Sequence, residues 1–388
     1  VKSIKLNRLK AILLIIILTL PLFLTSCWDK IEINDRAFVN TIMIEKNFVR
    51  KESRFIASQF YKRDINQLFI TFGIANASEA ESAIKSYTHS VAAVSMSHAW
   101  EKLSSELSRE PFFGHTKLII LGRELMEDPD LLKEVLDYFE RDKTIDREIR
   151  IVAAENTNLT LQGLKPPTEN LYSTFVSGTM NQENRLSFVI SMNIGRVFND
   201  LRSYNGRTIL PVAGMENRKV NLSKIAFVDK YKIDKIADPR EIRGYKIFQA
   251  QNVNLREYIR INKDLFVFKL TGIDRKISYV KGGKVPKYHI RYVFEGNLES
   301  NKFGQDVFND KTRKKMEEEV HNLMKGQLEE TIHYFQDILG KDYLGFDNYT
   351  KKFHPSEYKK YKNWDKAFQK AEINFDIEVR LLMYSDVK

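Results

Sequence analysis

Only one cysteine, Cys27, occurs in 388 residues. No disulfide can form within the chain, so packing has to supply its stability. The seven histidines (His89, His98, His115, His289, His321, His333 and His354) make neither HExxH nor another close ligand pair. With cysteine ligands absent as well, no metal site is expected. The GxSxG, GxGxxG and P-loop patterns are missing. SxxK occurs, for instance at Ser82–Lys85 and Ser356–Lys359, but the KTG partner of wall-active serine enzymes does not. The expectation is therefore no enzyme, no catalytic residue and no cofactor. Past residue 26 there is no apolar run near 18 residues, so no later segment reads as a spanning helix. Nucleic-acid motifs are also lacking, and no nucleic acid is expected as a partner.

What is present is concentrated at the start. Lys2, Lys5, Arg8 and Lys10 form a basic opening, and Ala11–Leu24 is a nearly continuous apolar run of 14 residues. That is short of the roughly 20 a spanning helix needs, and Pro21 disfavours a regular helix within it. Basic start, short apolar core and small residues describe an export signal over 1–26. Cys27 directly follows Leu24-Thr25-Ser26, which is similar to the lipobox of bacterial lipoproteins. In such proteins the thiol takes a diacylglyceryl group, the chain is cut before it, and the new amine is often acylated. Two acyl chains hold a protein on a bilayer where one does not, since each buried methylene contributes about 0.8 kcal/mol. Stable peripheral attachment through a lipid anchor at Cys27 is the expectation.

Removal of residues 1–26 takes away four basic and no acidic side chains and lowers the net charge from +11 to +7. About 360 residues remain, enough for two or three domains. The charge is spread out, with short clusters at Lys311–Lys315 and Lys359–Lys362. These read as solvated faces, with attraction to anionic lipid headgroups as the alternative.

Residues 28–36 are polar and read as a tether. Ala37–Ile44, Arg54–Tyr61, Ser86–Met96, Leu118–Leu121 and Ile149–Ala154 have strand character, and Ser97–Arg109 and Leu131–Arg141 are helical by spacing. Pro111–Gly122, reading PFFGHTKLIILG, is the most informative stretch. Its Phe112, Phe113, Gly114 and His115 sit at a strand entrance, either as a buried fold signature or as a partner contact. Pro166-Pro167 marks a loop. Leu186–Leu201 reads as a helix, and Asn205-Gly206 as a turn and domain boundary. Short strands follow at Thr208–Val212, Ala226–Val228 and Tyr231–Ile233, then a helix over Pro239–Ala250. Ile277–Val280 and Tyr288–Phe294 flank a hairpin turn at Lys281–Lys284. A long helix, with Asn309, Asp310 and Thr312 as candidate caps, runs to about Leu339. Ile373–Leu381 alternates as a half-buried antiparallel strand should. The expected fold class is α+β: three mixed α/β domains on small, largely antiparallel sheets with packed helices, divided as 27–204, 205–262 and 263–388.

Taken in order, several of these residues resemble one family, the Ger(x)C lipoproteins that form the C subunit of spore germinant receptors. The resemblance opens at Cys27-Trp-Asp-Lys-Ile-Glu-Ile-Asn-Asp-Arg-Ala37 and is strongest in Leu107-Ser-Arg109 and Pro111–Gly122. It continues through Arg141-Asp142, Arg147-Glu-Ile-Arg150 and Glu241-Ile-Arg-Gly244, and ends at Asp342-Tyr-Leu-Gly-Phe346 and Trp364. One departure is Ser223-Lys224 before Ile225-Ala226-Phe227, where the family usually has a glycine. The resemblance implies three mixed α/β domains, no enzymatic activity, and a place on the outer face of the spore inner membrane. It implies work with the A and B integral membrane subunits in nutrient-triggered germination, and it leaves open whether this subunit binds a small molecule itself. The alternative from the residues is a solute-binding lipoprotein feeding a transporter, with a cell-wall enzyme as the third class. Cys27→Ala is expected to move the protein from the membrane to the soluble fraction on cell fractionation; retention in the membrane would contradict the lipobox reading.

Overall fold

The computed structural model describes residues 35–47, 67–75, 86–155, 171–183, 189–203, 205–216, 219–238, 243–249, 255–261, 264–300 and 310–382, with positions 169, 186 and 241. Cys27, the strand expected at Arg54–Tyr61 and the Pro166-Pro167 loop lie outside them.

Two sheets and the helices packed on them make a mixed α/β structure, the class expected from the sequence. The larger sheet contains β1 (Arg36–Lys46), β2 (Leu68–Ala75), β3 (Ser86–Ala93), β4 (Glu110–Phe112), β5 (Leu118–Leu121), β6 (Arg150–Ala154), β7 (Arg207–Glu216), β8 (Lys219–Asp229) and β9 (Lys232–Ala237). Its order is β3-β2-β1-β5-β6-β7-β8-β9, with β4 also paired to β1. The centre, β1-β5-β6-β7, is parallel, and both flanks are antiparallel. The sheet thus continues through the Asn205-Gly206 turn.

The short apolar run of β5 has a simple cause. Ile119 and Leu121 face one side of the sheet and Leu118 and Ile120 the other, and all four are buried. A parallel strand covered on both faces has no position for a polar side chain. One face is covered by α1 (Met96–Glu106), α2 (Arg123–Met126) and α3 (Pro129–Arg141), the other by α4 (Tyr172–Met180) through Tyr172, Val176 and Met180. The caps are local: the Ser95 hydroxyl accepts from His98 N, and Asp128 accepts from Leu131 N with Pro129 opening α3.

The helix expected over Leu186–Leu201 is shorter. Among the described residues only α5 (Ile194–Ser203) is helical, whereas Met192 lies outside it and its carbonyl accepts from Ile151 N. Val189, Ile190 and Met192 are buried on this non-helical segment, and Asn193 accepts from Arg196 N to start the helix. Two apolar segments of different conformation had mimicked one helical stripe.

The second sheet, β10 (Leu255–Ile261), β11 (Asp264–Tyr279), β12 (Lys287–Ser300) and β13 (Glu372–Leu381), follows that order. The β11–β12 hairpin turns where the sequence expected it. β13 is not antiparallel: it pairs parallel with β12 from Lys287↔Glu372 to Gly296↔Leu381. A crossover containing α7 (Asp310–His333), a π-helical turn (Tyr334–Ile338), α8 (Phe346–Phe353), α9 (Pro355–Tyr358) and α10 (Trp364–Phe368) returns the chain to the start of β12. Alternation marks a one-sided strand but not its direction. α7 buries Met316, Val320, Met324 and Leu328 in the same core as Phe266, Phe268, Ile290 and Phe294. α6 (Gly244–Gln249) crosses α7 so closely that a Cβ on Gly244 would lie 2.2 Å from the Gln327 carbonyl oxygen.

Candidate functional site

The turn between β4 and β5 divides its aromatic residues between two environments. Phe113 is 8 % exposed and lies flat on Trp100, with centroids 4.0 Å apart and planes at 11°. It also meets Phe72 edge-on at 6.1 Å. Phe112 points the other way, edge-on to Phe38 at 5.8 Å, with the Arg36 guanidinium 4.4 Å above its ring. His115 is exposed, 5.1 Å from Phe38 and 5.4 Å from Phe112. Gly114 permits this arrangement, since a Cβ there would come within 2.7 Å of the Phe112 ring. Thr116 and Lys117 lock the turn to β1: Thr116 Oγ1 donates to the Val39 carbonyl and Lys117 N to the Asn40 carbonyl. Of the four residues singled out from sequence, Phe113 is thus core, whereas Phe112 and His115 form a small surface cluster with Phe38 and Arg36.

A second constellation was not found from sequence. Arg207, 4 % exposed, opens β7 and grips Asp365 with two parallel bonds of 2.7 and 2.5 Å. Its Nε donates to Asp229 at 3.3 Å, and its Nη1 reaches the Asp342 carbonyl at 3.5 Å. Burial alone would push the guanidinium down, but the Asp365 pair overrides this and holds it above its ordinary value. Lys341 bridges Asp229 at 2.8 Å and Asp234 at 3.0 Å, and the Tyr343 hydroxyl donates to Asp234. The main sheet is thereby tied to the segment that carries α8 and α10.

Beside it sits a carboxyl pair. Asp342 is fully buried and accepts from Leu344 N, Gly345 N, Asp347 N and Trp364 Nε1 at 2.7–3.0 Å. Gly345 adopts a left-handed φ of 87° to start α8 above this carboxylate. Burial pushes Asp342 up, and the four donors oppose it. They occupy all its acceptor positions, so a proton on Asp342 would displace one of them. The shared proton therefore sits on Asp347, pushed up to about 8 by burial and by the Asp342 charge. Asp347 accepts from Asn205 Nδ2 at 2.8 Å, a further link to the main sheet. The motif Asp342–Phe346 with Trp364 is thus a fold device, a buried carboxylate around which a helix start is wound.

The cavity next to Arg207, bounded also by Arg196, Asp200, Thr208, Tyr245 and Tyr343, measures about 30 Å³. That is room for a water or two and not for a nutrient molecule. Among the described residues no group of three or more His, Cys, Asp or Glu side chains could hold a metal ion. None of the described helices is long and apolar enough to cross a membrane, which says nothing of β-barrels.

Residues 29–215 match the family described as "Spore germination protein N-terminal domain". Residues 223–383 match "Spore germination B3/ GerAC like, C-terminal". The chain belongs to the GerAC-like spore germination family. Two curated proteins of Bacillus subtilis (strain 168) are similar over nearly their full lengths. Spore germination protein YndF is 21% identical, with 97% of each chain covered. Spore germination protein KC is 22% identical, covering 95% of this chain and 94% of that one. The fold is similar to that of the crystal structure of the GerBC protein, at 16% identity and a TM-score of 0.57 over 83% of this chain and 96% of that one. The interval between the two matched regions of this GerAC-like chain falls at the β7–β8 hairpin.

Two predictions follow from the geometry of this family member. Phe113→Ala removes a stacked core ring and is expected to lower unfolding stability by about 3–5 kcal/mol. Phe112→Ala, on the surface, should cost about 1 kcal/mol or less; denaturant titration of both variants checks the split. Asp347 keeps a proton in the folded state that it loses near pH 4 when unfolded, so its contribution to stability falls as pH rises from about 4 to 8. Glu45, Asp200 and Glu257 are also raised by burial and add slopes of the same sign. The difference between wild type and Asp347→Asn isolates the pair: the variant should lose up to about 1.4 kcal/mol of decline per pH unit between pH 5 and 7. Parallel stability curves would show that the proton is not on Asp347.

Proposed function

We propose that this chain is the lipid-anchored C subunit of a nutrient germinant receptor and acts in nutrient-triggered spore germination through protein contacts. The observation that carries the reading is the pair of family matches, which occupy the chain in order from residue 29 to residue 383. Arg207, Asp342, Asp347 and Asp365 are spent on holding segments together. The partners are the A and B integral membrane subunits, and the protein sits on the outer face of the spore inner membrane, held by the acylated Cys27. Within this reading, Phe112, Gly114 and His115, together with Phe38 and Arg36, are the surface offered to a membrane partner, while Phe113 supports the turn from beneath.

The test is nutrient-triggered dipicolinic acid release from spores lacking the gene, with wild-type and Cys27→Ala copies restored. Response to some nutrients should be lost in the deletion, return with the wild-type copy, and return incompletely or not at all with Cys27→Ala. Artificial triggers should still work throughout. Unchanged release in the deletion, together with ligand-induced thermal stabilisation of the purified protein, would replace this reading with that of a solute-binding lipoprotein.

A further inference from the structure

A concentrated lysine surface is assembled from two distant segments. Residues 280–287 and 351–362 together contain eight lysines, Lys281, Lys284, Lys287, Lys351, Lys352, Lys359, Lys360 and Lys362, against one carboxylate, Glu357. The fold brings the segments into contact. The Tyr279 ring lies 5.0 Å from His354, and its hydroxyl is 2.9 Å from that of Tyr361. The Tyr349 hydroxyl donates to the Ile277 carbonyl. Glu357 is nearly buried, paired with Lys360 at 2.8 Å and held below its ordinary value by that pair, with smaller contributions from Lys281 and His354. Lys287 pairs with Glu372. Lys281, Lys284, Lys351, Lys352, Lys359 and Lys362 are exposed, with Lys281 acting on Glu357 and the Lys352 ammonium 5.2 Å from the Phe353 ring. Among them stand two exposed apolar side chains, Phe353 at 58 % and Val280 at 49 %.

The position of this surface matters as much as its charge. β1, β5, β6 and β7 run parallel, so Arg207 at the start of β7 and Arg36 at the start of β1 mark the same end of the main sheet. The Arg207–Asp365 and Asn205–Asp347 bonds hang the segment carrying α8 and α10 on that end. Arg36 is nine residues after Cys27, a span of at most about 30 Å. The lysine surface therefore belongs to the end of the molecule from which the chain leads to its proposed anchor.

We infer that this lysine surface, with Phe353 and Val280 as apolar contacts, docks on the anionic phospholipid headgroups of the bilayer and forms a second membrane contact beside the anchor. Clustered lysines next to an anionic leaflet are drawn to it additively, and the attraction fades within a Debye length. Exposed aromatic and aliphatic side chains among them suit the headgroup boundary. The orientation argument rests on the Cys27 reading; the charge argument does not, so the test uses unacylated protein and keeps the two apart.

The mature chain from residue 27, carrying Cys27→Ala, is mixed with vesicles of phosphatidylcholine alone or with one third phosphatidylglycerol, and bound protein is measured by sedimentation. Binding is expected on the anionic vesicles only, and it should weaken steeply between 50 and 500 mM salt. Replacing Lys351, Lys352, Lys359 and Lys362 by Gln should weaken binding by up to roughly a thousandfold, with the thermal midpoint unchanged. A control replacing Lys133, Lys232, Lys276 and Lys325 by Gln, equal in net charge, should weaken it far less. Equal loss in both variants would reduce the effect to net charge and overturn the proposal. Absence of binding to anionic vesicles would overturn it in favour of an acidic protein surface as partner, and displacement by millimolar inorganic phosphate would overturn it in favour of a lone phosphate site.

Discussion

Arg207 is the constraint on which the relative placement of the two sheets depends. Its guanidinium is almost out of water and is compensated from both sides, by Asp229 of the main sheet and by Asp365 beyond it. Such a group is weak evidence for net stability, because desolvating the charges offsets much of their attraction. Its effect is on specificity. Any docking that separates Arg207 from Asp365 leaves a buried charge without its partner, at a cost of about 3–5 kcal/mol. The apolar contact between the main sheet and the crossover, Phe227 against Tyr334, Phe335 and Tyr343, is less selective because rings tolerate sliding. Aromatic packing supplies the area, and the ion network fixes the register.

The same logic explains why a buried carboxylate is retained at Asp342. A loop that must reverse after the π-helical turn and start α8 leaves amide N–H groups without helical partners. Asp342 collects three of them and the Trp364 indole, which pins α10 to the start of α8. With Asp342 fully engaged, Asp347 takes the proton and can still accept from Asn205. One negative charge fewer in the interior is the cheaper solution for two carboxyls this close.

Much of this was legible in the sequence, and the failures have identifiable causes. β5, α3, the β11–β12 hairpin and the long helix α7 were readable because each presents one uninterrupted periodic signal. The parallel direction of β13 was not readable, since alternation reports which face is buried and not which neighbour is paired. The aromatic turn was found but not resolved: period-two reasoning puts Phe112 and Phe113 on opposite sides without saying which is inward, and Trp100 decides it. The Arg207 network was missed altogether. Its members lie at 207, 229, 341, 342 and 365, and in a chain this charged no single one stands out. The one available signal was indirect: an arginine following an Asn-Gly turn, at the first residue of an otherwise apolar strand.

That distribution bears on how a displacement at one end of the molecule reaches the rest of it. The Arg207 ion network lies at one end of the main sheet, where β1 and β7 begin. At that end lie the Arg36–Phe112–His115 cluster, the ion network, and the segment that bears the lysine surface. A contact pressing on α8 and α9 is coupled to the sheet through Asn205–Asp347 and Arg207–Asp365. Charged bonds of fixed geometry transmit displacement better than apolar packing, because they have few alternative arrangements of similar energy. A force on the C-terminal helices would therefore move them and the main sheet as one piece. Stiffness between the lysine surface and the aromatic cluster is what this arrangement of bonds supplies.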